Sequence, residues 1–166
     1  LQSAIICKEN SYIIIISNIG RMLKIKLNNK ELPVMGKMAQ GSLIMKTMPN
    51  EEIIGAISIT NTASDDLIIG TKKGYFIKHN IKSLRVCEKG SLGILKENHN
   101  ILYKNKDEVI SINTDSNNLR IKSNQGRYAK ISINDIKNSR TGKANKMISL
   151  QDKEYIDEII SLTYDE

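Results

Sequence analysis

Lys24, Lys78 and Lys130 each stand four residues past a glycine, and those glycines, Gly20, Gly74 and Gly126, lie 54 and 52 residues apart. Amines charged at neutral pH and repeated at a near-constant interval suit one kind of chemistry, the neutralisation of an anion whose own charges recur. Further cations keep the same interval. Arg21 and Arg127 directly follow the first and third glycines, and a second set of glycines, Gly36, Gly90 and Gly142, comes sixteen residues later. Lys37, Lys89, Arg140 and Lys143 flank that second set, with Lys46, Lys96 and Lys146 a few residues beyond. All twelve are candidate phosphate contacts. An ammonium acts on a phosphate as a point charge and reads no base, so weak sequence preference is expected of a lysine-dominated surface.

Other chemistry has little to work with. Cys7 and Cys87 have no CxxC partner and sit among apolar neighbours, where a free cysteine serves as a small packed hydrophobe. His79 and His99 are isolated, and HExxH, GxxxxGK[ST] and GxSxG patterns are absent from the sequence. We therefore expect no catalytic residue, no metal and no cofactor. One phenylalanine, six tyrosines and no tryptophan supply few platforms for stacking single-stranded bases, which favours a double-stranded partner.

The net charge is +7 and the isoelectric point about 9.3, yet 20 of the 25 basic residues are lysine in a chain also rich in isoleucine and asparagine. Biased composition alone could produce such a total, so its distribution is the informative quantity. Residues 20–46, 74–100 and 126–152 hold 17 basic and 5 acidic side chains, and the remainder holds 8 basic and 13 acidic. Each repeat thus has a basic half and a mildly acidic half. No apolar run is long enough for a membrane helix, and "LQSAIICKEN" lacks the pattern of a signal peptide, so a soluble cytoplasmic protein is expected.

The elements that must position these cations follow from the repeat. "YIIIISNIGRMLKIKL", "DLIIGTKKGYFIKHNI" and "LRIKSNQGRYAKISI" align on the first glycines, and each repeat closes with "EEIIGAISI", "DEVISINT" or "DEIISLT". Dense isoleucine and valine in short runs, broken by turn residues, reads as strand. The first glycines then sit in tight hairpin loops that need a positive φ. Alternation across the sheet predicts Leu23, Ile25 and Leu27 towards the core and Met22, Lys24 and Lys26 towards solvent. In the third repeat it predicts Ala129, Ile131 and Ile133 on one face and Tyr128, Lys130 and Ser132 on the other. Lys24, Lys78 and Lys130 would then form an outward stripe.

On these residues, above all "SNIGRMLKIKLNNKELPVMGKMAQGSLIMKTMPNEEIIGAISI", the chain resembles the C-terminal domain of the A subunit of bacterial type IIA topoisomerases, DNA gyrase and topoisomerase IV. The resemblance implies an all-β fold, a β-pinwheel of four-stranded blades with strand exchange between neighbours. Residues 1–166 would be a single domain or fragment with repeats at 12–61, 66–114 and 118–163, and 1–11 would complete or continue a preceding blade. Such domains usually have five or six blades, so the array here would be open or truncated.

The resemblance further implies a non-catalytic module that binds and bends duplex DNA and guides it to the cleavage core. Its parent would be an ATP-dependent DNA topoisomerase, and its partners the rest of the A subunit and the ATPase B subunit, in the cytoplasm with the nucleoid. The gyrase box QRRGGKG has no intact match in "MGKMAQGS", "CEKGSLG" or "SRTGKANK", so a topoisomerase IV-like domain is expected over a gyrase-like one. The competing expectation is a propeller-like scaffold whose rim binds an acidic protein.

Overall fold

The computed structural model describes residues 4–60, 66–95, 106–114, 118–137 and 144–162. Each repeat opens with a hairpin. β1 (Tyr12–Ser17) pairs antiparallel with β2 (Met22–Lys26), and the return strand β3 (Ile53–Ile59) comes back to the other side of β1. The second repeat does the same with β4 (Asp66–Thr71), β5 (Tyr75–Asn80) and β6 (Val109–Thr114). In the third, β7 (Asn118–Ser123) pairs with β8 (Tyr128–Ser132) and with β10 (Ile156–Leu162). All three return strands carry a register shift at their start, opposite the last residues of β1, β4 and β7.

The hairpin loops show why the glycines recur. Gly20, Gly74 and Gly126 have φ of 82°, 82° and 76°, and each donates its N–H to the carbonyl three residues back. This is a turn followed by a left-handed residue, the usual three-residue hairpin connection. A hydroxyl reinforces each loop: Ser17 Oγ, Thr71 Oγ1 and Ser123 Oγ accept from the N–H of Arg21, Tyr75 and Arg127 at 3.2, 3.1 and 3.2 Å.

A fourth strand is supplied by the next repeat along the chain. β9 (Asn145–Lys146), from the third repeat, pairs with β5 and makes the middle sheet four-stranded, in the order β6-β4-β5-β9. In the first blade the exchange is reduced to single bridges. Met22 and Ile94 exchange both backbone hydrogen bonds, at 2.9 and 2.7 Å, and the Cys87 N–H donates to the Lys24 carbonyl at 2.7 Å. The outer blades therefore have three regular strands each, where four were expected. Residues 4–11 contain no assigned strand, and Cys7 packs on the first blade.

The blades stack face to face. Ile14, Ile16 and Met22 of the first blade pack on Leu67, Ile69 and Ile77 of the second. Ile68 and Phe76, on the opposite face of the second blade, pack on Leu119, Ile121 and Ile131 of the third. The first blade's other face is covered by Leu27, Leu32, Ile44, Met45 and Cys87. Both faces of β1 are thus buried, which explains an unbroken run of four isoleucines instead of an alternating pattern.

This stacking corrects the expected faces of β2. Met22 is only 1% exposed, and Lys24 is half-buried, because the face assigned to solvent abuts the next blade. The third blade keeps the simple alternation, with Tyr128 and Lys130 exposed and Ile131 and Ile133 buried, since its corresponding face has no neighbour among the described residues. No helix among those residues is long and apolar enough to cross a membrane.

Candidate nucleic-acid interface

Sheet order decides where the two halves of each repeat go. β3 packs against β6 and β6 against β10, so the return strands, which belong to the acidic halves of the repeats, converge on one side of the array. β2, β5 and β8 form the opposite edges, and the exchanged segments are laid along the first two. Among the described residues, the basic hairpin strands and the exchanged segments of the second and third repeats therefore lie on the side of the blades away from the return strands, the outer edge, while the corresponding segment of the first repeat covers the outer face of the first blade.

The candidate cations differ sharply in availability. Lys37, Lys46, Lys130 and Lys146 are exposed and Lys89 is half-exposed. The Lys146 ammonium lies 5.9 Å from the centre of the Tyr75 ring. Lys78 is held by Asp66 at 3.5 Å with its side chain mostly covered. Lys24 donates to the carbonyls of Ile81 and Leu84, at 3.2 and 3.4 Å, and its ammonium lies 4.9 Å from the centre of the Tyr12 ring. Burial pushes its pKa below the usual lysine value. Lys24 thus ties the first blade to the 3-10 turn Ile81–Ser83 of the second. The outward stripe of Lys24, Lys78 and Lys130 is not formed: neighbouring groups engage the first two and only Lys130 opens to solvent. Lys96, Arg140, Gly142 and Lys143 lie outside the described residues.

The two arginines beside the hairpins serve the fold. Arg21 is buried, 3.4 Å from Glu51, with side chains 8% and 1% exposed, and it also donates to the Leu92 carbonyl and the Met48 sulfur. Arg127 makes the equivalent pair with Glu154 at 2.7 Å, and its side chain is half exposed because no exchanged segment covers it among the described residues. In the second repeat Tyr75 replaces the arginine, and Asp107 accepts from the Lys73 N–H at 3.0 Å. Matching Glu51, Asp107 and Glu154 corrects the alignment of the third closing strand. The acidic position is Glu154, three residues before the aspartate of "DEIISLT", because the paired hydrogen bonds Asn18 to Glu52, Lys72 to Glu108 and Asn124 to Tyr155 set the register.

Glu154 makes the acid limb of stability testable. The Gln151 N–H first, then the Ser123 hydroxyl and the Arg127 guanidinium, hold its carboxyl below the usual carboxylate range. A depressed folded-state pKa contributes stability that is complete above the unfolded value, about 4.3, and is lost as pH falls through the folded value. Urea midpoints measured from neutral to acid pH should fall more steeply for the native chain than for Glu154→Gln.

Gly90 and Gly93 have φ of 77° and 74° in the exchanged segment, whereas Gly36 is not in the left-handed region. Gly93 went unnoticed in the sequence, although a methyl there would lie 2.7 Å from the Met22 carbonyl oxygen. Arg120, Lys82 and Arg85 are exposed cations that the glycine-based repeat did not single out. For Arg120 the signal was present, since it occupies the place of Ile14 and Ile68 in the other two repeats. Among the described residues no group of histidine, cysteine, aspartate and glutamate could hold a metal ion.

Comparison with known proteins fits this geometry. The chain is similar in fold to the C-terminal domain of DNA topoisomerase IV, with a TM-score of 0.74 and 19% identity over 93% of this chain and 48% of that one. It is also similar to the DNA gyrase A C-terminal domain (TM-score 0.66, 16% identity, 95% and 51% covered) and the E. coli ParC C-terminal domain (0.63, 16%, 93% and 63%). The chain spans about half the length of the first two. Curated proteins yield no significant sequence match. The family model of the DNA gyrase C-terminal domain, a β-propeller, matches residues 11–60, 65–114 and 123–163, one segment per blade. The chain belongs to the family of the DNA gyrase C-terminal domain, and its three blades are an open portion of that β-pinwheel.

Proposed function

We propose that the chain is a duplex-DNA-binding and bending module of a type IIA topoisomerase A subunit, without chemistry of its own. Repeats 12–61, 66–114 and 118–163 act as one domain that guides a DNA segment to the cleavage core of its parent, an ATP-dependent enzyme completed by a B subunit in the bacterial cytoplasm. The observation that carries this reading is the segregation of positive charge to one half of every repeat, with the hairpin strands of those halves on one side of the blades and the return strands of the acidic halves gathered on the other. Lys37, Lys46, Lys89, Lys130 and Lys146, with the exposed half of Arg127, are the proposed phosphate contacts, joined by Lys96, Arg140 and Lys143. Lys24 and Lys78 contribute field more than contact, and Arg21 holds the hairpin. The loops lack a match to QRRGGKG, which favours a topoisomerase IV-like parent.

Binding to a 40-base-pair duplex of arbitrary sequence tests the reading. Neutralising about five phosphates gives a slope near −4.5 in log K against log salt. Replacing Lys37, Lys46 and Lys146 by alanine should weaken binding alike on all sequences and make the slope shallower by about three. Circularisation of short duplexes should accelerate on binding, because a curved edge repays the few kcal/mol of bending with added contacts. No binding at about 50 mM salt would instead favour a scaffold for an acidic protein.

A further inference from the structure

The three blades present equivalent faces with very different chemistry. In the first blade the face that looks along the stack carries Ile14, Ile16, Met22 and Lys24, and in the second Ile68, Gly70, Phe76 and Lys78. Both are packed on the blade that follows. At the same register positions the third blade has Arg120, Lys122, Tyr128 and Lys130. The apolar residues that bind one blade to the next have been exchanged for cations at two of four positions, and Tyr128 is 66% exposed.

That face is electrostatically unsettled by itself. Arg120 and Lys130 stand directly opposite each other on β7 and β8, and like charges so placed destabilise a strand pair. None of Arg120, Lys122 and Lys130 has an ion-pair partner among the described residues. Glu158 lies opposite Lys122 on β10 without bonding to it. An apolar blade stacked here would bury unpaired charge, which is costly, so the complementary occupant is anionic.

We propose that this broad face of the third blade is a second phosphate-binding surface for duplex DNA, separate from the outer edge. The inference rests on the DNA-binding reading above and adds a place to it. β8 belongs to both surfaces, being an outer-edge strand whose Lys130 also lies on the face, so a duplex following the edge passes directly onto Arg120 and Lys122. Residues two apart along β7 stand about 6.6 Å from one another, and the opposing strand brings Lys130 within about 5.5 Å, so the three cations act on neighbouring phosphates.

The test compares the whole chain, its Arg120→Gln/Lys122→Gln variant and its Arg120→Glu variant on the same 40-base-pair duplex. The double variant should bind more weakly on every sequence, with a salt slope shallower by about two. Arg120→Glu sets a carboxylate opposite Lys130 and should melt no lower than the native chain while binding DNA more weakly, a pairing of effects that a structural role would not give. A native chain that binds DNA while both variants keep its affinity and slope overturns the face and leaves the edge intact. A native chain that fails to bind overturns the DNA-binding reading itself, and this proposal with it.

Discussion

Glu51→Ala should lower the unfolding free energy by about 3 to 5 kcal/mol, the usual cost of stranding one member of a buried ion pair. Its carboxylate lies 3.4 Å from the Arg21 guanidinium, both side chains are almost fully covered, and Glu51 also accepts the Met48 N–H at 2.7 Å. Removing it leaves a buried cation without its counter-charge and a backbone donor without its acceptor. Domains have about 5 to 15 kcal/mol in hand, so the first blade would approach its limit. Urea denaturation measures the loss directly. A companion variant, Arg21→Met with Glu51→Leu, should recover most of it, because an apolar pair of similar volume avoids the desolvation penalty. Similar losses in the single and double variants would show that the carboxylate's backbone bond, and not the charge pair, matters. Arg127→Ala should cost less, since half of that side chain is already in water.

Gly93→Ala should cost about 3 kcal/mol or more, against about 1 kcal/mol for Gly126→Ala, although both glycines are left-handed, at φ of 74° and 76°. The difference is what a methyl meets. At Gly126 nothing lies within 4 Å, whereas at Gly93 a Cβ would stand 2.7 Å from the Met22 oxygen and 3.1 Å from the Met45 methyl. Relieving that clash requires the backbone to move and breaks the Met22 to Ile94 pair, one of the links between the first two repeats. Hydrogen exchange at Ile94 should accelerate in Gly93→Ala and stay unchanged in Gly126→Ala. Equal losses in the two variants would mean that the exchanged segment contributes little to holding the blades together.

The hairpins were legible because their signals are local. A serine or threonine followed three residues later by glycine, between isoleucine-rich runs, specifies a turn whose hydrogen bonds lie within five residues. The period of the repeat and the gathering of lysine in one half of it were readable for the same reason, being properties of order along the chain. What each lysine does was not readable. Lys24, Lys78 and Lys130 occupy one position in three copies, yet the first caps carbonyls of the next blade, the second pairs with Asp66, and the third is open to solvent.

Periodicity states which residues share a face of a strand and says nothing of what that face meets. Met22 and Tyr128 are register equivalents, one at 1% and the other at 66% exposure, because one face has a blade against it and the other does not. The sequence by itself determined the turns, the strands, the repeat and the segregation of charge, since each depends on residues close together in the chain. Tertiary structure alone decided which charges are free, since burial and pairing depend on groups such as Lys24 and Ile81 that lie 57 residues apart and meet only when the blades stack.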